Sequence, residues 1–85
     1  MRLDKYLKIS RLIKRRTVAK DMVDAGRVSL NGKTAKPGSE VRVGDVLEIG
    51  FGQRQVRARI VDIRDTARAD EAQSLYELLE GSPID

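Results

Sequence analysis

The chain contains no cysteine, no histidine and no tryptophan, and its aromatic residues are only Tyr6, Phe51 and Tyr76. Lack of cysteine excludes disulfides and thiol nucleophiles. Lack of histidine removes the side chain that titrates near neutrality, and with both missing almost every structural zinc site is excluded. The carboxylates form no evident acid–base pair, and no glycine loop of the phosphate-cradling kind is present. An enzyme is therefore not expected, nor a metal, a cofactor or a small-molecule substrate. No apolar run reaches the roughly eighteen residues of a membrane span, and the N-terminus lacks a signal-peptide pattern. The expected location is the cytoplasm, with no membrane partner.

The scarcity of aromatics has two consequences. The core must be built from Leu, Ile, Val and Ala. The array of exposed rings interleaved with cations that grips single strands is also missing, so a nucleic-acid partner is expected to be folded RNA, read by shape and backbone. Duplex DNA would satisfy the same electrostatics. At 85 residues the chain is expected to be one domain with a thin core, and a monomer.

Positive charge is abundant and unevenly placed. The first twenty residues hold Arg2, Lys5, Lys8, Arg11, Lys14, Arg15, Arg16 and Lys20 against a single acid, Asp4, whereas residues 69–85 hold five acids and no base. The net charge of +4 conceals this polarity. A solvated helix face normally intersperses both signs; here the acids are missing, which points to phosphate binding by a polyanion-directed surface.

The basic segment is patterned as helix. Arg2 to Ile9 suits a short helix with Leu3, Tyr6 and Leu7 facing in and Asp4, Lys5 and Lys8 facing out. After a connector, Ser10 to Ile13, a second helix is predicted from Lys14 or Arg15 to Ala25. Its apolar stripe is Val18, Ala19, Met22, Val23 and Ala25, and Gly26 is its left-handed stop. Arg16 and Lys20, four apart, share an exposed ridge. Asn31-Gly32 predicts a type I′ hairpin between Val28–Leu30 and Lys33–Ala35.

Further strands are predicted over Val46–Phe51 and Arg54–Arg64, the second with an alternation that slips at Val61 and Ile63, as a bulge or a strand end would cause. Asp70 and Gln73 resemble a capping box opening a helix striped by Ala72, Leu75, Tyr76 and Leu79 and ended by Gly81 and Pro83. The expected fold class is α+β, two packed N-terminal helices against a small antiparallel sheet, with a C-terminal helix. Residues 1–68 would form the RNA-binding domain, and 69–85 an acidic helix and tail of the same compact unit.

Lys33 and Lys36, with Arg27, either extend the RNA contact or protect a sheet edge; both readings stand. Arg54, Arg57, Arg59, Arg64 and Arg68 are expected to pair with Glu48 and the acidic tail. Tyr6 is read as core. Asp70, Glu71, Glu77 and Glu80 fit a solvated helix face.

Four blocks in order, Arg2-Leu3-Asp4-Lys5-Tyr6-Leu7, Lys14-Arg15-Arg16-Thr17-Val18-Ala19, Gly26-Arg27-Val28-Ser29-Leu30-Asn31-Gly32 and Val43-Gly44-Asp45, resemble the RNA-binding domain family named after small-subunit ribosomal protein S4. The resemblance implies two helices on a small bent sheet, the alpha-L motif, presenting cations to structured RNA. Over its whole length the chain is similar to the stand-alone members, most of all the bacterial ribosome quality control P factors, and over the common domain to the ribosome-associated heat-shock protein fifteen group. The latter group carries a basic C-terminal extension, whereas residues 69–85 here hold acids alone, which favours the former resemblance. The resemblance implies binding to obstructed large ribosomal subunits through rRNA and stabilisation of peptidyl-tRNA. It also implies work with ribosome quality control protein H during alanine tailing without mRNA. Arg2 and Arg16 match the family positions expected to touch rRNA. A ribosome-recycling or assembly factor, or the RNA-targeting subunit of a separate modifying enzyme, remains the alternative.

Overall fold

The structure, a computed structural model, describes residues 1–84. In chain order it contains α1 (Leu3–Ile9), α2 (Arg16–Asp24), β1 (Val28–Leu30), β2 (Lys33–Thr34), β3 (Val46–Phe51), β4 (Arg54–Ile60), α3 (Ala69–Ala72), a 3-10 turn (Gln73–Leu75) and β5 (Tyr76–Glu80). The strands form one antiparallel sheet in the order β2-β1-β3-β4-β5. The α+β class is as expected.

Apolar periodicity explains the first half. Leu3, Tyr6 and Leu7 of α1 and Ala19, Met22 and Val23 of α2 enter one core with Val28, Leu47, Ile49, Val56, Ala58 and Ile60 of the sheet. The second helix starts at Arg16, later than expected, and Ala25 is an exposed cap rather than part of the stripe. The hairpin forms as read, Asn31 and Gly32 having φ of 52° and 82°, the positive values both central positions of a type I′ turn need. The Asn31 side chain adds a staple: its Oδ1 accepts from Val46 N at 2.9 Å and its Nδ2 donates to Asp45 Oδ1 at 2.9 Å.

The second half departs from expectation in three places. First, β4 stops at Ile60 rather than reaching Arg64, because Val61 N and Asp62 N both turn to donate to the Leu75 carbonyl, at 2.9 and 3.1 Å. The slip at Val61 and Ile63 is thus a strand end. A register shift does occur, but at Arg57/Ala58 against β5, where Glu80 and Leu78 are the paired residues and Leu79 is passed over.

Second, the C-terminal helix is short. It ends at Ala72, and Tyr76-Glu77-Leu78-Leu79-Glu80 is a strand that completes the edge of β4. Side-chain spacing in this stretch fits a helix, but β4 offers a row of unpaired backbone groups that only another strand satisfies, and that long-range pairing prevails. Leu78 and Leu79 remain 40% and 43% exposed, so no apolar helical stripe exists there. Third, the capping box lies two residues earlier than Asp70 and Gln73: Glu71 accepts from Arg68 N at 3.1 Å, with Arg68 as the cap.

Beyond β5 the chain returns to the helices. Gly81 has φ of 77°, and a Cβ there would collide with the Gln55 carbonyl oxygen. Ile84, 1% exposed, then bridges Ile13 in parallel, donating to Leu12 O at 2.7 Å and accepting from Lys14 N at 2.9 Å. This return strap ties the α1–α2 connector to the rest of the fold.

Candidate nucleic-acid interface

The helices α1 and α2 meet at the connector, and the corner between them is where the cations collect. Lys5, Lys8, Arg11, Lys14 and Arg16 line a groove of about 590 Å3 whose opposite wall is Asp65-Thr66-Ala67. Arg2, Arg16 and Lys20 line a second groove of about 380 Å3 with Asp4, Thr17 and Pro37. Arg16, the first residue of α2, belongs to both. Arg15 is exposed beside it but lines neither groove, and Lys33 stands away on the edge strand β2.

Charge compensation separates the two basic groups. Among the described residues Lys8, Arg11, Arg15, Arg16 and Lys20 make no ion pair, and Lys5 has only a 3.9 Å contact with Asp65, itself 94% exposed. In the second group Arg59 pairs with Glu77, Arg64 with Asp62 and Glu71, and Arg68 with Asp70 and Glu71. Arg54 instead donates to the Ser82 hydroxyl, and Glu48 accepts from Gln55 rather than from an arginine. Glu77 is therefore taken up by Arg59 of β4, and Asp70 and Glu71 by Arg64 and Arg68 of the segment between β4 and α3.

One residue of the corner departs from the sequence reading, and a second has an unusual backbone. Asp4 does not face solvent: it is 8% exposed, and its carboxylate accepts Nε and Nη2 of Arg2 at 3.2 and 3.3 Å and the Lys5 N–H at 2.8 Å. The pair holds the Arg2 guanidinium in a fixed attitude at the groove edge. The available signal was Asp4's position as the lone acid of a cationic run, two residues from Arg2. Arg11 has φ of 58°, a left-handed conformation that costs a non-glycine residue about 1 kcal/mol. It persists because Leu12 and Ile13 are fully buried and the Ser10 hydroxyl closes the turn, donating to Leu7 O and accepting from Leu12 N.

Tyr6 is core, as read. Its hydroxyl donates to Leu75 O at 2.7 Å, and burial pushes the phenol pKa well up. Tyr76 was placed on a helix stripe from sequence; the structure puts it half-buried on β5, its phenol also raised by burial. There it lines a third groove of about 570 Å3, together with Ser10, Arg11, Lys14, Ala69, Ala72, Gln73 and Pro83. Among the described residues no cluster of three metal-ligating side chains occurs, and no helix is long and apolar enough to cross a membrane.

Residues 1–47 match the family described as S4 domain. The RQC P-site tRNA stabilizing factor of Halalkalibacterium halodurans is 51% identical over 99% of this chain and 96% of its own length. The factor of the same name from Bacillus subtilis is 50% identical over 94% of this chain and 93% of its own. In three dimensions the fold is similar to the trimeric structure of Vibrio cholerae heat shock protein 15, with a TM-score of 0.83 and 39% identity, covering 92% of this chain and 80% of that one. With its cationic corner built on the matched segment and full-length likeness to these relatives, the chain belongs to the S4 domain family, in the group of the RQC P-site tRNA stabilizing factors.

Proposed function

We propose that the chain is a non-catalytic, cytoplasmic RNA-binding factor of ribosome quality control. It binds obstructed large ribosomal subunits through rRNA and stabilises peptidyl-tRNA while ribosome quality control protein H extends the stalled nascent chain with alanine. Lys5, Lys8, Arg11, Lys14 and Arg16 receive backbone phosphates along the first groove, and Arg2 and Lys20 extend the contact around α2. Arg15, beside Arg16, and Lys33, on the sheet edge, are outlying contacts of the same surface. The support is the name carried by the full-length relatives together with one physical observation: among the described residues Lys8, Arg11, Arg15, Arg16 and Lys20 make no ion pair.

The test is sucrose-gradient fractionation of tagged protein with RNA crosslinking. Cosedimentation with large subunits carrying peptidyl-tRNA, weakened by Arg16→Ala, is the expected result. Copurification with an RNA-modifying enzyme and absence from large subunits would overturn it.

A further inference from the structure

The third groove lies only partly in the segment matched by the S4 domain: Ser10, Arg11 and Lys14 belong to it, whereas the far wall comes from Ala69 to Pro83. It shares two cations with the first groove. Arg11 and Lys14 line both, so they stand on the divide between them. A phosphodiester held at that divide would border the third groove as well as the first. What a base would meet in the third groove is a half-buried tyrosine ring and an exposed amide, Tyr76 and Gln73.

We infer that this groove takes a single unpaired nucleotide of the bound RNA, its phosphate at Arg11 and Lys14 and its base against Tyr76. The inference rests on the RNA-binding reading of the first groove. Tyr76 is fixed for this role from two sides, by packing on the core and by its register opposite Ile60 in the sheet. Ala69 and Ala72 carry the smallest side chains that helix permits and so leave the groove open, at a volume inside the roughly 300–1,000 Å3 of small-ligand sites. Gln73 offers both a donor and an acceptor, which suits the edge of a base. One ring receives one base, so the site is compatible with a chain too poor in aromatics to grip a single strand. It adds a local feature, an extruded base, to recognition that is otherwise by backbone and shape.

The experiment uses the full chain and two RNA hairpins that differ only by one unpaired 2-aminopurine in the stem. The bulged hairpin should bind about tenfold tighter than the paired one, as stacking on one ring provides, with quenching of the fluorophore on binding. Tyr76→Phe should keep both effects. Tyr76→Leu should bind the two hairpins equally, with its unfolding temperature unchanged. Should that variant fail to fold, Ala69→Leu, at an exposed position, fills the same groove and should likewise abolish the preference. Displacement of the bulged hairpin by tRNA or by large-subunit rRNA supports the site and names the source of the nucleotide; displacement by neither overturns it. Equal binding of both hairpins by the unaltered chain, or a preference surviving in Tyr76→Leu, also overturns it. Failure of the unaltered chain to bind even the paired hairpin would instead strike the RNA-binding reading beneath it.

Discussion

Arg2 and Arg16 lie at the same surface yet carry different obligations. Arg16 is exposed and unpaired among the described residues, so Arg16→Ala should weaken RNA binding evenly across sequences, lower the salt slope by about 0.7, and leave the unfolding temperature in place. Arg2 also neutralises a nearly buried carboxylate. Arg2→Ala should therefore cost about 1–2 kcal/mol of stability in urea unfolding as well as affinity, because Asp4 keeps its burial and loses its partner. The double change Arg2→Ala with Asp4→Ala should recover most of that stability but none of the affinity, a separation that a purely structural Arg2 would not give. Arg11 poses the opposite trade. Arg11→Gly relieves the left-handed backbone and should stabilise the fold by about 0.5–1 kcal/mol while weakening RNA binding.

At the scale of elements, legibility in the sequence follows how local each determinant is. The helices α1 and α2 and the Asn31-Gly32 hairpin were readable because their apolar spacing and turn chemistry are set within a few residues. The segment Leu75 to Leu79 was not, because its spacing suits a helix and only the vacant edge of β4, distant in sequence, selects strand. The groove cations were legible as a charge run; the burial of Asp4 and the third groove were not, since each depends on a loop or strand arriving from elsewhere. Gly81 marks the point where that distant arrival is most constrained. Gly81→Ala combines a positive φ with a collision against the Gln55 carbonyl and should cost about 2 kcal/mol or more, read as a lower midpoint in urea.

At the scale of the whole molecule, the acidic end of the chain buttresses the basic beginning. Its carboxylates pair with Arg59 of β4 and with Arg64 and Arg68 just before α3, its strand closes the sheet, and its strap at Ile84 holds the connector that carries Arg11 and Lys14. The Tyr6 hydroxyl bonded to Leu75 O joins α1 to the same C-terminal segment. Lys8, Arg11, Arg16 and Lys20 thus stay without an ion pair among the described residues on a corner of fixed shape, and in the proposed function that fixed shape is what lets several phosphates be held at once. If about six phosphates are engaged, the association constant should fall with roughly the fourth power of salt concentration. Titration of a labelled RNA hairpin across a salt series measures this directly. A flat response would mean that the converging cations do not carry the affinity, and a slope near one would mean that a single arginine does. Loosening the strap with Ile84→Asn, which buries an uncharged amide without a partner, should unfold the connector and flatten the slope with every charge left in place, separating the contribution of shape from that of charge.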